Sequence, residues 1–158
     1  VYCCYELTSI ADRSIFQSFA DAIIAVEWNH DVNYYSNIIE SLSRDVHCYS
    51  IQVNTSDYGD SRITQPTKTE KKDILRTKGG ANAAVLVGKI EIAKLREFQA
   101  KTYELQKDDS TYKPTQPNFN SRIAYQKSTG QLSADTIKEL FTPKSLLASH
   151  PFGAVKYS

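Results

Sequence analysis

The chain contains no methionine at any of its 158 positions, one tryptophan, three cysteines and six glycines. The missing methionine includes position 1, and the opening VYCCY already reads as strand with no lead-in. The expectation is therefore a piece of a longer polypeptide that begins partway through a fold. Three thiols cannot form a full set of pairs. Adjacent Cys3 and Cys4 point to opposite faces if the stretch is a strand, which argues against a bridge between them. Reduced thiols in a cytoplasmic setting are expected. No apolar run approaches the roughly 20 residues that a membrane span needs, and no signal-peptide pattern opens the chain.

Charge of one sign is also lacking: 19 basic against 18 acidic residues leave a net +1. That balance argues against a chain whose main task is to neutralise phosphates or dock on anionic lipid. His30, His47 and His150 are scattered, and no Cys/His pair has the short spacings of a structural zinc site. Gly79–Gly80 after Lys78 lacks the strand–GxxxxGK–helix context of a phosphate loop and reads as a hairpin turn. No metal and no cofactor are expected. The ten tyrosines are not interleaved with a basic stripe, so nucleic-acid binding by this segment alone is not expected.

What is present is the composition of an ordinary soluble domain, 41% hydrophobic and 23% charged, in a chain long enough to bury a core. Residues 1–100 alternate between strand-like and helix-like patterns. Val1–Tyr5 is a short strand, and Ile10, Phe16 and Phe19 fall on an imperfect helical spacing. DAIIAVEWN is a continuous apolar run, the pattern of a strand buried on both faces. In VNYYSNIIESLSRDV, Tyr34, Ile38 and Leu42 recur every fourth residue with Tyr35 and Ile39 beside them, which predicts a helix. CYSIQVNTS, SRITQP, KDILR and AAVLVGKIEI read as strands, and AKLREFQ as a short helix. The pattern predicts a layered α/β fold with some antiparallel sheet.

Residues 101–158 differ. Four of the five prolines lie there, at Pro114, Pro117, Pro143 and Pro151. One helix is convincing, SADTIKELF, capped by Ser133 with Ile137 and Phe141 on one face. The rest reads as an extended arm anchored by Tyr112, Phe119, Tyr125, Phe152 and Tyr157, wrapping a neighbour or linking to other structure.

A thiol at the end of a buried strand, just before a turn into a helix, is a recurring way to present a nucleophile. Alternation alone leaves open whether Cys3 or Cys4 is the exposed one, and a free cysteine is often only a small buried hydrophobe.

The ordered series CYEL, ADAIIAVEWN, SRDVHCYSIQVN, YGDSRITQPT and AAVLVGKIEIAKLREFQ resembles the second half of the nitrilase (carbon–nitrogen hydrolase) superfamily. Ala20–Trp28 approaches its apolar strand ending Val-Pro-x-x-Trp, although Val26-Glu27 stands where Val-Pro is usual. Arg44–Asn54 matches its helix-to-strand stretch, and Gly59, Ser61, Ile63 and Pro66 its Gly-x-Ser-x-Ile-x-x-Pro hairpin. The resemblance covers residues 1–100 and implies part of a four-layer α-β-β-α sandwich, with residues 101–158 as a C-terminal arm. It places Cys4 at the nucleophile position, with Cys3 turned the other way into the sheet packing. The backbone N–H of Tyr5 would serve the oxyanion hole. Glu6, Trp28 and Asn29 would line a pocket. Glu6 occupies an acidic position of the motif, for which a structural role near the turn is expected. The family's general-base glutamate and oxyanion lysine lie upstream of the nucleophile, where this chain has no residues.

More narrowly, residues 49–74 and the tail from Lys94 to Phe119 are similar to nitrilase-like domains fused behind bacterial reverse transcriptases in phage-defence systems. The implied partners are the remainder of the same polypeptide, meaning an upstream nitrilase half and a reverse transcriptase, and further copies of the chain. In the family the helices corresponding to residues 9–20 and 33–47 pack across a dimer interface. Two functions follow: Cys-dependent hydrolysis of an amide or nitrile, or an inactive oligomerisation or ligand-sensing module. An unrelated doubly wound domain with structural cysteines is the third possibility.

Overall fold

The longest helix shows how the sequence builds the core. Val32–Val46 places Tyr35, Ile38, Ile39, Leu42 and Val46 on one buried stripe, the spacing that an amphipathic helix requires. The side chain of Asp31 accepts from the Tyr34 N–H and starts it. His47, at φ 59°, stops it in the left-handed region, where its N–H donates to the Ser43 carbonyl.

The computed structural model describes residues 1–140. In chain order these form β1 (Tyr2–Cys3), a 3-10 turn (Cys4–Thr8), α1 (Ile10–Ser14), β2 (Ala22–Glu27), α2 (Val32–Val46) and β3 (Tyr49–Asn54). They continue with β4 (Arg62–Thr64), a second 3-10 turn (Thr69–Lys71), β5 (Asp73–Arg76), α3 (Ile92–Gln99), α4 (Tyr103–Asp108), α5 (Ser121–Ser128) and α6 (Ala134–Leu140). The strands make one mixed sheet in the order β1-β2-β3-β4-β5. The first three are parallel, and β4 and β5 run antiparallel. The fold is thus α/β, as expected. No helix among the described residues is long and apolar enough to cross a membrane.

The two faces of the sheet are unlike. Under α2 lie Tyr2, Ile23 and Ala25, joined with Leu7, Cys48 and the helix stripe in one cluster. Further along, the same face turns polar, with Glu27, Gln52, Asn54 and Arg62 all buried. The opposite face is apolar from edge to edge. Cys3, Val26 and Val53 share one register row, and Ile24, Ile51, Ile63 and Leu75 share the next. Ile24, Val26 and Val53 are 40%, 49% and 47% exposed. The expectation that β2 is buried on both faces is therefore corrected. Its residues alternate, because α2 covers one side of the sheet along its length, while on the other side α3 reaches only the end at Ala22 and Tyr49.

AAVLVGKIEI is not a strand either. It has strand composition but no ladder partner, and a strand exists only through its neighbour's N–H and C=O groups. Val85 and Val87 are almost fully exposed. The segment runs beside the uncovered face, where a Cβ on Gly88 would sit 2.7 Å from Leu75 Cδ2. Gly79–Gly80 accordingly makes no hairpin. Gly79 (φ +90°) packs its backbone against Gly59 (φ +76°), and a Cβ on Gly59 would lie 1.9 Å from the Lys78 carbonyl oxygen. Both positions need glycine for conformation and for room.

The described part of the arm folds back onto residues 1–100. Tyr112 enters a second cluster with Tyr49, Leu95 and Phe98, and its hydroxyl lies 2.8 Å from that of Tyr49. Asp21, just before β2, takes both Arg96 of α3 and Lys127 of α5. Burial works against the Asp21 charge, but these two cations hold its carboxyl below the usual range. Phe119 stands edge-on to His47. Tyr125 is exposed, a correction to its expected anchoring, and Ile123 and Ala124 fill the buried positions of α5 instead. Helices α4 and α5 have no counterpart in the sequence reading. Each is too short for a repeating stripe, and α5 is fixed locally by the Asn120 side chain accepting from the Ile123 N–H at 3.2 Å. The start of α6 agrees with the Ser133 cap. Phe141, His150, Phe152 and Tyr157 lie outside the described residues.

Candidate functional site

The carboxyl ends of β1, β2 and β3 come together at one edge of the sheet, where parallel α/β folds generally place their chemistry. Because Cys3 pairs with Val26, Cys4 and Glu27 are the next residues outward on neighbouring strands. Glu27 in turn pairs with Asn54. Glu27 and Asn54 therefore form the last row of the β2–β3 ladder, and Cys4 opens the turn that follows β1.

The chain leaves β1 abruptly. Cys4 has φ +34°, a left-handed conformation that a residue with a Cβ rarely adopts. The turn separates the two thiols. Cys3 is exposed on the uncovered face, so its expected burial in sheet packing is corrected: nothing among the described residues packs there. Cys4 is half-buried and packs against the margin of the α2 cluster. Its Sγ–H donates to the Tyr35 hydroxyl across 4.0 Å. Cys48 is fully buried, and burial pushes its thiol up to about 12, so only the first two thiols are open to reagents.

Glu6 does not face Cys4 across a strand, since β1 has already ended. Its Oε2 accepts from the Cys3 N–H at 2.8 Å and closes the turn in a capping box, the structural role expected of it. Tyr5 is the second residue of this turn. Its side chain is 80% exposed, and its carbonyl accepts from Thr8 Oγ1 at 2.8 Å. Its N–H belongs to the first turn, whose donors have no acceptor within a helix. Trp28, the residue after β2, is 77% exposed. Asn29 is buried and committed to structure. Its N–H donates to Asn54 Oδ1 at 3.0 Å and its carbonyl accepts from Asn54 Nδ2 at 2.8 Å. Its own Oδ1 accepts from the Asp31 N–H at 2.8 Å. Of the expected site residues, then, Cys4 and the Tyr5 backbone share a turn, and neither Trp28 nor Asn29 is hydrogen-bonded to the sulfur.

One residue that sequence reasoning did not place in the site, Tyr35, touches Cys4, and a second, Glu27, acts electrostatically on Tyr35. Tyr35, in the first turns of α2, is almost fully buried. Burial, then the hydrogen bond and charge of Cys4, then the charges of Glu27 and Tyr34, push its phenol up to about 12. Glu27 is 6% exposed. Its Oε2 accepts from Gln52 Nε2 at 2.9 Å, while its Oε1 is buried with no hydrogen-bond partner. Burial raises its carboxyl above the usual range; the Gln52 bond works the other way, Asp60 adds to the rise and Arg62 tempers it. Behind it, Gln52 Oε1 accepts from Arg62 Nε at 3.2 Å. Arg62 also donates to the Ser36 carbonyl and lies 3.6 Å from Asp73. The signal for this network was present: Glu27, Gln52, Asn54 and Arg62 are polar at positions inside apolar strands. Only the strand register shows that they share a face.

Two cavities flank the region without reaching Cys4. One, of about 270 Å³, lies between α1, α2 and the arm around Arg13, Gln17 and Asn118. The other, of about 460 Å³, lies between the uncovered face and residues Asn82–Leu86. Compared with protein-family models, with curated proteins and with solved structures, the chain finds no match.

Proposed function

We propose that the chain is the C-terminal portion of a nitrilase-like sandwich in which Cys4 is the nucleophile for hydrolysis of a non-peptide C–N bond, an amide or a nitrile. The observation that carries this reading is the place of Cys4. It sits at the carboxyl end of a parallel strand, in a left-handed backbone conformation, with a half-open thiol. In the reaction the sulfur attacks the carbon. An amide expels ammonia or an amine to leave a thioester, whereas a nitrile gives a thioimidate that loses ammonia to water. A further water releases the carboxylic acid and regenerates the thiol. The Tyr5 N–H is the oxyanion donor contributed by this chain. The resemblance assigns the general base and lysine to preceding polypeptide and attaches the whole to a reverse transcriptase of phage defence. The uncovered apolar rows of the sheet support a second sheet stacked on them, at the roughly 10 Å separation of a sandwich.

In the full-length protein, Cys4→Ala is expected to lower amide hydrolysis roughly a thousandfold or more while assembly is retained. Turnover that survives the substitution would reject the nucleophile. The second reading, an assembly or ligand-sensing module without chemistry, is favoured by the two cavities, neither of which reaches Cys4. It predicts unchanged biological activity for Cys4→Ala.

The sandwich is tested separately. In the full-length protein, Val26→Lys and Val53→Lys are each expected to lower stability by about 2 kcal/mol or more, as a charge forced between sheets does. Changes within about 0.5 kcal/mol, the scale of exposed sites, would show that the face stays open.

A further inference from the structure

The surroundings of Cys4 contain one group able to stabilise a negative sulfur from within this chain. The Tyr35 hydroxyl touches Sγ at 4.0 Å, and α2 fixes it from the buried side of the sheet. Glu27 has a buried, unpartnered Oε1, and its charge acts on the Tyr35 hydroxyl. We infer that the Tyr35 hydroxyl is the hydrogen-bond donor that holds the Cys4 thiolate, and that the Glu27 carboxylate beside it opposes that negative charge. The inference rests on Cys4 being the nucleophile and names the groups that regulate its ionisation.

The chemistry is simple. In the resting state the thiol donates to the phenol oxygen. When the thiol loses its proton, the hydroxyl rotates and donates to the sulfur, a charge-assisted bond stronger than the one it replaces. Tyr35 can play this part because it keeps its own proton at neutral pH: burial and the neighbouring Cys4, Glu27 and Tyr34 all push its ionisation upward. Glu27 acts in the opposite sense on the sulfur, since two negative charges at short range disfavour each other. The two residues thus bias one thiol in contrary directions.

Alkylation measures this without any substrate. Iodoacetamide forms an S–C bond with the thiolate as iodide leaves, and the thiol proton passes to buffer. The rate at Cys4 is followed against pH in the full-length protein carrying Cys3→Ser, so that the exposed neighbour does not contribute. Tyr35→Phe removes one oxygen and keeps the ring. It is expected to move the rate curve to higher pH and to slow alkylation at pH 7 roughly tenfold, the worth of one hydrogen bond to a charged group, with the alkaline plateau unchanged. Glu27→Gln is expected to move the curve to lower pH. A variant that only loosened the site would change the plateau, and no loosening produces shifts of opposite sign. Curves that superpose on the parent, or two shifts in the same direction, overturn the inference and leave the nucleophile standing. A Cys4 that stays unlabelled throughout the range overturns both.

Discussion

Acidifying the protein from pH 6.5 to pH 4 is expected to remove about 3 kcal/mol of stability through His47 alone. The ring is 1% exposed. Its Nε2–H donates to the Lys113 carbonyl at 2.7 Å, and its Nδ1 accepts from Gln99 Nε2 at 3.2 Å. Phe98 stacks on it, and Tyr112 and Phe119 meet it edge-on. One nitrogen donates and the other accepts, which is the pattern of a neutral imidazole. Burial lowers its ionisation from 6.5 to about 4, against the smaller opposing effect of the hydrogen bond to Lys113. The unfolded chain therefore binds a proton near 6.5 that the folded chain refuses until about 4. The stabilisation is complete above 6.5 and is lost as the pH falls toward 4. Glu27 works in the other direction, because its raised carboxyl takes up a proton in the folded state first. Denaturant unfolding at steps between pH 7 and pH 4 tests the sum. His47→Asn, which tolerates the left-handed backbone, should flatten the profile, and a slope unchanged by that substitution would reject the assignment.

Arg62→Met is the second substitution with a large expected effect, a loss of about 3–5 kcal/mol. The guanidinium is fully buried and gathers Gln52, the Ser36 carbonyl and Asp73 around it. Asp60 and Glu40 also act on it electrostatically. Methionine fills most of the volume, so the effect reads the charge more than the space. Removing the cation leaves Glu27 and Asp73 without the positive charge beside them, while Asp60 keeps its ion pair with Arg76. Urea midpoints measure the change. A loss below 1 kcal/mol would mean that the carboxylates shed their charge or find water at little cost.

The parts of the fold that could be read from the chain are those where period and composition agree. Helix α2 announced itself by its stripe, β3 by CYSIQVNTS between polar flanks, and α3 by AKLREFQ. Strand β2 was placed correctly but its faces were not, because Ile24 and Val26 are as apolar as Ile23 and Ala25 and nothing local marks which side is covered. Ala83–Ile92 has the composition of a strand, yet whether it becomes one depends on a neighbouring edge, which is not local information. The candidate site divides the same way. Cys4 stands out as a thiol before a turn, whereas Tyr35 looked like one more member of a helical stripe. Its proximity to Cys4 arises from a parallel crossover that joins residues 31 positions apart. Glu27 was visible only as the residue where Val-Pro is usual.

The contact between Gly59 and Gly79 has a consequence for movement. At that corner two loops meet backbone to backbone, with the Gly80 N–H donating to the Ser56 carbonyl at 2.9 Å and the Gly59 N–H to the Thr55 carbonyl at 2.9 Å. The Gly80–Ser56 bond ties the two loops together, so neither slides without breaking it. At the other corner a single long thiol–hydroxyl contact fastens Cys4 to its helix. Movement at this end of the sheet is thus uneven: the β3 corner is latched backbone to backbone, whereas the turn that carries Cys4 is held by the fully buried side chain of Leu7.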